Sequence, residues 1–291
     1  MTLKDPREST MSPKPEGPQP PPGLQAEMTI QPDCGEASYK GHGRLKDRVA
    51  LITGGDSGIG RAVALAYARE GADVAISYMA EEQTDADETG RVVRAAGRRC
   101  LTLPGDIRDE AHCNRLVQRT HEEFGRLDIL VNNAAFQMTH ENITEITAEE
   151  FDRVFRTNVY ATFYLCKAAL PLMQPGASII NTVSVEAYQP DYFLLHYAST
   201  KGALVAFTKA FAHEAIKRGV RVNAVAPGPI WTPLIPATMS PEKVQAFGKQ
   251  APIGRAGQPA ELAPIYVLLA SDESSYVVGA VYAVTGGMIT A

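Results

Sequence analysis

The chain has 291 residues, of which 45% are hydrophobic, and carries a formal net charge of −5 at pH 7. This is enough apolar material for one large domain or two small ones. A mildly acidic chain without a basic block argues against nucleic acid or an anionic membrane as a partner. The four cysteines have no C-x-x-C spacing and the six histidines no metal-motif spacing, so we expect a reducing, cytoplasmic compartment and no metal.

Residues 1–43 form a proline-rich, polar leader without an apolar run of signal-peptide or membrane-spanning length. Such a segment cannot build a core, so we predict an extended or disordered N-terminal arm. Two interpretations stay open. The arm is a floppy tail, at least over its first two dozen residues, or its later part, 28–39, lies across a neighbouring subunit. Met11 and Met28 also stay open as the true start.

Strand and helix patterns alternate from Asp47 onward. Apolar runs predict strands at 49–53, 73–77, 99–103, 128–132, 178–183, 221–226 and 280–284. Helical patterns fall at about 58–70, 81–96, 108–124, 148–173, 197–218 and 259–270. This alternation is typical of a parallel sheet with helices on both faces, joined by right-handed crossovers. We therefore predict an α/β chain: a three-layer, doubly wound Rossmann fold with a seven-stranded parallel sheet, as a single domain over 44–291.

The first predicted strand runs into a glycine-rich segment, Thr53-Gly54-Gly55-Asp56-Ser57-Gly58-Ile59-Gly60, and then into a helix. Glycines between a strand and a helix start let the backbone approach a pyrophosphate, which rests on the helix N-terminus. The spacing differs from the usual G-x-G-x-x-G, and a glycine-rich turn without a ligand is the alternative.

Two further polar segments end predicted strands. They are Asn132-Asn133-Ala134-Ala135 and, after the fifth strand, Ser184. Open α/β sheets bind their ligands at the carboxyl ends of strands. Asparagines there also shape turns, and a lone serine is more often a helix cap, so neither segment decides the function alone.

Tyr197 and Lys201 stand four residues apart in a predicted helix, so both side chains project from one face. An ammonium beside a phenol lowers a phenol pKa that starts near ~10, which makes tyrosine a useful acid or base. Alone, the pair also fits an ordinary amphipathic helix.

A long irregular stretch, residues 229–252, follows the sixth strand. An insertion at the carboxyl end of a strand is a candidate substrate lid. The alternative is a surface excursion that packs on a partner.

Taken together, these motifs resemble the short-chain dehydrogenase/reductase family from about Leu45 to the C-terminus. The segment 53–60 is similar to the family's TGxxxGIG, and 132–135 to its NNAG with alanine replacing the glycine. Pro227-Gly228 is similar to the PG after the sixth strand. The matches to its four catalytic residues are Asn158, Ser184, Tyr197 and Lys201. Within the family, the chain resembles the bacterial general-stress-protein branch and the glucose dehydrogenase group, which suggests a role in stress protection.

The resemblance implies an NAD(P)-dependent oxidoreductase that transfers hydride between a nicotinamide and a secondary alcohol or carbonyl compound. Tyr197 is then the general acid/base and Ser184 holds the substrate oxygen. Lys201 lowers the pKa of Tyr197 and bonds the nicotinamide ribose. Asn158 is expected to break its helix and hold a water that relays protons to Lys201.

The implied cofactor contacts span the whole predicted sheet. They are Gly54, Asp56, Ser57, Gly58, Ile59, Gly60, Ser77, Tyr78, Asp106, Ile107, Asn133, Ala134, Tyr197, Lys201, Pro227, Gly228, Ile230 and Thr232. A helix N-cap is the alternative role for Asp106. Ser77 and Tyr78 end the second strand without a basic residue, and Glu81 and Glu82 would repel a 2′-phosphate. We therefore favour NAD, with NADP or both still open.

The substrate stays open. The expected wall residues, besides the lid, are Val185, Glu186, Tyr188, Gln189, Tyr192, Phe193 and His196. Acid and amide side chains suit a sugar or polyol, whereas Tyr192, Phe193 and Trp231 suit a flat carbonyl compound. The partners expected are a small molecule and, from the family, further copies in a homotetramer. The alternatives are a catalytically weak dinucleotide-binding redox sensor and a partner-binding protein.

Overall fold

Seven parallel strands form one sheet in the computed structural model, which describes residues 5–8 and 16–290. The strands are β1 Val49–Thr53, β2 Asp73–Tyr78, β3 Cys100–Pro104, β4 Ile129–Asn132, β5 Ser178–Thr182, β6 Arg221–Pro227 and β7 Val281–Val284. Their order is β3-β2-β1-β4-β5-β6-β7. This is the predicted doubly wound fold, and each strand lies within one residue of its predicted bounds.

Nine α-helices flank the sheet in the described part of the chain. They are α1 Gly58–Arg69, α2 Gln83–Ala95, α3 Glu110–Phe124, α4 Ala148–Phe155, α5 Ala161–Ala169, α6 Leu195–Ala215, α7 Leu234–Thr238, α8 Pro241–Ala246 and α9 Pro259–Ala270. None of the described helices is both long and apolar enough to cross a membrane.

The five central strands are buried, which explains their apolar runs, whereas the edge strands β3 and β7 are only partly buried. In β1, Ala50 and Ile52 pack into the core beneath α1 and α9, whereas Leu51 between them packs into the core beneath α3, α5 and α6. Alternate side chains of β1 therefore pack into the cores on opposite faces of the sheet. With both faces covered, the open ends of the strands are left for ligands.

The helix predicted over 148–173 is not continuous. A π-helical turn, Arg156–Tyr160, separates α4 from α5, and Asn158 stands at its centre. The buried carboxamide of Asn158 bonds to the backbone of Phe136 on a neighbouring loop, which is a contact that helical periodicity cannot reveal. Single π-helical turns of this kind are frequent at functional sites.

The arm differs from the expected extended or disordered segment wherever it is described beyond residue 16. Residues 16–43, which we call the docked arm, pack on the rest of their own chain, and Met28 and Cys34 are buried. The arm builds no core of its own, but single apolar and amide side chains fit a surface that the domain already provides. Residues 1–4 and 9–15, with the possible start at Met11, lie outside the described residues. A crossing to a neighbouring subunit stays a prediction.

Candidate active site

A cavity of about 650 Å³ opens at the carboxyl ends of the central strands. The sheet order reverses between β1 and β4, which is where open α/β sheets bind ligands. Ser184, Tyr197 and Lys201 line this cavity together with all but one of the predicted cofactor residues: Gly54, Asp56, Ser57, Gly58, Ile59, Ser77, Tyr78, Asp106, Ile107, Asn133, Ala134, Pro227, Gly228, Ile230 and Thr232. Gly60 and Asn158 lie behind its wall.

The glycine-rich loop is shaped by close backbone approaches. Gly54 and Gly58 have φ of +60° and +48°, a region that favours glycine. A Cβ on Gly60 would lie only 1.7 Å from the carbonyl oxygen of Gly54. Gly60 therefore supports the loop from behind, and the loop presents the first amides of α1 to the cavity. Such amides lack partners within their helix and suit an anionic group.

Asn133 serves the loop as well as the cavity. Its side-chain amide donates to the carbonyl oxygens of Thr53 and Gly54, both at 3.2 Å, and its backbone N–H donates to Thr53 Oγ1 at 3.0 Å. Both roles considered from the sequence, turn residue and cavity wall, are thus combined in one residue.

Tyr197 and Ser184 both line the cavity, and the Ser184 hydroxyl acts to lower the pKa of Tyr197. Lys201, one turn further along α6, places its Nζ 5.3 Å from the centre of the Tyr197 ring and donates to the Thr182 carbonyl at 2.8 Å. The strand end of β5 and one face of α6 thereby bring two hydroxyls and an ammonium together.

Burial is the largest cause of the pKa shifts of both Tyr197 and Lys201. It raises the pKa of Tyr197, and the Ser184 hydroxyl acts in the opposite direction. Burial also lowers the pKa of Lys201 to about 7. The pKa of Tyr197 is therefore raised in this structure, and not lowered as expected from Lys201, because burial and the charge of Glu186 both act to raise it.

Asn158 reaches α6 from below the cavity. Its Nδ2 donates to Thr200 Oγ1 at 3.0 Å and to the Phe136 carbonyl at 3.0 Å, and its Oδ1 accepts from the Phe136 N–H at 2.8 Å. Thr200 directly precedes Lys201. Asn158 thus fixes the helix that carries Lys201. The relay of protons to Lys201 through a water held by Asn158 stays a prediction.

Known proteins match this chain over most of its length. The family model described as enoyl-(acyl carrier protein) reductase matches residues 54–289. General stress protein 39 of Bacillus subtilis (strain 168) is 53% identical, over 91% of this chain and 93% of its own. The glucose and ribitol dehydrogenase homolog of Oryza sativa subsp. japonica is 47% identical, over 92% and 94%. NADPH-dependent aldehyde reductase 1, chloroplastic, of Arabidopsis thaliana is 46% identical, over 92% and 95%.

Solved structures agree with these relatives. A short-chain dehydrogenase from Burkholderia cenocepacia J2315 in complex with NADP superposes with a TM-score of 0.79 at 32% identity, over 84% of this chain and 99% of its own. The chain belongs to the short-chain dehydrogenase/reductase family. A 3-ketoacyl-(acyl-carrier-protein) reductase from Brucella melitensis complexed with NADH has a TM-score of 0.76 at 32% identity, over 84% and 99%. The protein is an NAD(P)-dependent oxidoreductase of this family, as the motifs predicted.

The cavity of this dehydrogenase/reductase fits such a cofactor at its adenosine end. Asp56 is 1% exposed, and its Oδ2 has no hydrogen-bond partner among the described residues. Glu82 lines the same part of the wall, and its Oε2 accepts from the Met79 N–H at 2.7 Å. An acceptor without a donor inside a cavity is a place for a ligand hydroxyl.

Asp56 and Glu82 form an acidic pair that the sequence did not reveal. Burial raises the pKa of Asp56 to about 6, and burial with the charge of Asp56 raises that of Glu82 to about 8. Two carboxyl groups this close resist carrying two charges. Glu82 was singled out from its position after β2, but its pairing with a residue of the glycine-rich loop had no local signal.

Asp106 does not cap the helix that follows it. Asp109 is the N-cap of α3 and accepts from the amides of Ala111 and His112, so the capping alternative for Asp106 is wrong. The Asp106 carboxylate instead accepts from the Arg108 guanidinium at 2.5 to 3.0 Å while lining the cavity.

The substrate end of the cavity holds only part of the expected wall. Val185, Glu186 and Phe193 line it, and Asp191 and Lys243 join them. The lid segment contributes the wall residues Met239, Ala246, Phe247 and Gln250. The mixture of apolar and acidic side chains suits a small, partly polar molecule.

Trp231 and Tyr192 do not cover the substrate end, contrary to expectation. Trp231 is 1% exposed and packs against Met28 of the docked arm, with which it shares a small apolar cluster. Tyr192 is 70% exposed, and its hydroxyl donates to Glu141. Both were assigned on residue type, which does not give side-chain direction.

His196 does not line the cavity either. Its Nε2 and that of His140 both lie within hydrogen-bond distance of one carboxylate oxygen of Glu150, at 2.9 and 2.6 Å. The three side chains come from α6, the loop after β4 and α4. Their positions are far apart in the sequence, so no spacing motif indicates that they come together. The cluster holds the loop after β4 against α6, the helix that carries Tyr197.

Proposed function

We propose that the protein interconverts a secondary alcohol and a carbonyl compound, with Tyr197 as the general acid/base. The observation that supports this most strongly is that Ser184, Tyr197 and the buried Lys201 line one cavity, with the lysine Nζ 5.3 Å from the centre of the Tyr197 ring. NAD(P), when bound, supplies or accepts the hydride. Tyr197 gives its proton to the carbonyl oxygen in reduction and takes the hydroxyl proton in oxidation. Ser184 donates a hydrogen bond to that oxygen, and the Lys201 ammonium favours the phenolate.

The test is Tyr197→Phe, which removes one hydroxyl group. We expect nearly all turnover to be lost while NADH and NADPH binding, followed by fluorescence, stays close to that of the wild type. Tyr192→Phe is the matched control, because it removes a hydroxyl from an exposed ring outside the cavity. Turnover by Tyr197→Phe comparable to the wild type on any substrate would refute the acid/base assignment.

We propose that NAD is preferred over NADP. Asp56 and Glu82 line the cavity below the end of β2, and a 2′-phosphate would bring further negative charge to this acidic pair. Separate titrations should show tighter binding of NADH, and Glu82→Gln should narrow the difference in affinity most clearly near pH 9, where both carboxyl groups are charged. The Arabidopsis relative is described as NADPH-dependent. Tighter NADPH binding by the wild type would overturn this preference.

We propose that the substrate carries further hydroxyl groups beside the reacting carbon. Burial raises the pKa of Glu186 to about 7, so this carboxyl group can both donate and accept hydrogen bonds near neutral pH. Burial also raises the pKa of the neighbouring Asp191. The rice relative is described as a glucose and ribitol dehydrogenase homolog. A panel that pairs each polyol or sugar with its deoxy analogue should show higher kcat/KM for the hydroxylated member. Equal values would contradict the proposal.

We also propose a homotetramer, on the family resemblance and on exposed aromatic rings. Phe151, Tyr160 and Phe163 on α4, the π-helical turn and α5 are each at least 40% exposed. Large apolar side chains on one surface are typical of an interface. Sedimentation should give a tetramer that Phe163→Glu dissociates, and a monomeric wild type would contradict it.

A further inference from the structure

The docked arm meets the glycine-rich loop through one buried side chain, Gln25. It lies in a 3₁₀ turn, Gln25–Glu27, and is 2% exposed. Its Oε1 accepts a hydrogen bond from the N–H of Gly58 at 2.8 Å. Gly58 is the first residue of α1, where the amides have no partner within the helix. A side chain far upstream thus satisfies the first amide and leaves those that follow for an anion.

A buried charge network fixes the turn that carries Gln25. The backbone N–H groups of Gln25 and Ala26 donate to the Asp85 carboxylate at 2.5 and 3.0 Å. Asp85 is paired with Arg61 of α1 at 3.3 Å, and Arg61 Nε donates to the Asp56 carbonyl at 2.9 Å. Because these groups are paired within the network, moving the arm would leave buried polar groups without partners.

The same arm is joined to the lid segment 229–252. Trp231 Nε1 donates to the Ile30 carbonyl at 2.9 Å, and the Gln19 N–H donates to the Pro236 carbonyl at 3.2 Å. Gly23 has φ of +84°, and a Cβ there would lie 2.7 Å from the Pro233 carbonyl oxygen. Backbone therefore touches backbone, and Met28 adds apolar packing against Trp231.

Between these two attachments, Pro21 and Pro22 line the cavity. We infer that residues 19–34 form a strap that joins the glycine-rich loop to the lid segment and slows cofactor exchange. Gln25 is its positioning residue: it fixes the Gly58 amide, so that the amide of Ile59, the next cavity residue, stays oriented toward the pyrophosphate. The lid segment cannot move away from the glycine-rich loop unless the strap first detaches from the lid segment or from the loop. This inference concerns cofactor binding and does not depend on the role of Tyr197.

The first test is Gln25→Ala in the full chain, with Glu27→Ala as the control from the exposed side of the same turn. Stopped-flow displacement of bound NADH, and separately of NADPH, measures the dissociation rate. We expect Gln25→Ala to raise it roughly tenfold, as the loss of one buried hydrogen bond implies, and to raise the KM for the cofactor. The kcat at saturating cofactor should change much less, and Glu27→Ala should match the wild type.

Two further measurements separate the strap from a general loss of folding. Trp231→Phe removes the indole bond to Ile30 and part of a buried ring but keeps an aromatic side chain in the cluster, so it should raise the dissociation rate by a smaller factor. Hydrogen exchange of the Gly58 amide in cofactor-free protein should speed up in Gln25→Ala but not in Trp231→Phe. Wild-type dissociation rates in both folded variants, or unchanged exchange at Gly58 in Gln25→Ala, would overturn the inference.

Discussion

Replacing Lys201 with methionine should make the protein more stable while it destroys activity. The Lys201 side chain is 2% exposed, and burial lowers its pKa from 10.5 to about 7. The folded state therefore resists a proton that the unfolded chain binds readily. Methionine has similar length and no charge to desolvate, so Lys201→Met removes this cost.

The size of the effect follows from the pKa and one hydrogen bond. At about 1.4 kcal/mol for each pH unit, the fall in pKa corresponds to a cost on the order of 4–5 kcal/mol at pH 7. The substitution also removes the hydrogen bond from Nζ to the Thr182 carbonyl, and this loss destabilises the folded state by roughly 1–3 kcal/mol. The net gain in the free energy of unfolding is about 1–4 kcal/mol, which raises Tm by roughly 2–8 °C in a domain of this size.

The cost of burying Lys201 depends on pH. Above the unfolded pKa of 10.5 both states hold a neutral lysine, and the cost vanishes. It grows as the pH falls toward about 7, where the folded lysine also takes up its proton, and it is constant below that.

Thermal and urea unfolding of cofactor-free protein at pH 7 and near pH 10 measure the effect, with exposed Lys209→Met on the same helix as the control. A Lys201→Met variant that is less stable than the wild type at pH 7, or a stability gain that is equal at both pH values, would refute the reasoning.

Two other substitutions test the loop and the anchoring of the arm. Gly60→Ala places a Cβ 1.7 Å from the Gly54 carbonyl oxygen, so cofactor binding measured by calorimetry should fall below detection, whereas Gly202→Ala, with open space around its Cβ, should bind normally. Although burial opposes it, hydrogen bonds from Arg44 and Tyr39 lower the pKa of buried Glu70 to about 2. Glu70→Gln should lower the free energy of unfolding by about 3 kcal/mol at pH 7, in urea titrations.

Each of these has a clear contrary outcome. Normal cofactor affinity in Gly60→Ala would mean that the loop can relax around a side chain. The stabilisation from Glu70 is complete above its unfolded pKa of 4.5 and is lost as the pH falls toward about 2. The difference between wild type and Glu70→Gln should therefore shrink over that interval, and a constant difference would show that its origin is not ionisation.

The strands of the sheet could be predicted from local sequence patterns, because the residues within and next to each strand are enough to identify it. All five residues of β1 are buried, and the first four, Val49 to Ile52, form an unbroken apolar run. Its position before a glycine-rich segment then fixes the cofactor end of the cavity. Tyr197 and Lys201 were found for a similar reason, since one helical turn separates them and no distant contact is needed to bring them together.

The remaining features depend on contacts between distant segments. Gln25 caps Gly58 from 33 residues upstream, and nothing around Gln25 distinguishes it from other polar residues of the arm. The cluster of His140, Glu150 and His196 likewise forms only when a loop and two helices meet. Proline content predicted an extended or disordered arm over 1–43, but the docking of 16–43 depends on a complementary surface elsewhere, which composition does not contain.

The cavity wall has a consequence for biosynthesis. Pro21 and Met288 both line it, although almost the whole chain separates them in sequence. A ribosome synthesises the first of these residues long before the last. The central sheet can begin to form while synthesis proceeds, but the cavity wall is complete only after Met288 has been synthesised and has joined it. We therefore expect cofactor to stabilise the assembled wall rather than to guide the first steps of folding.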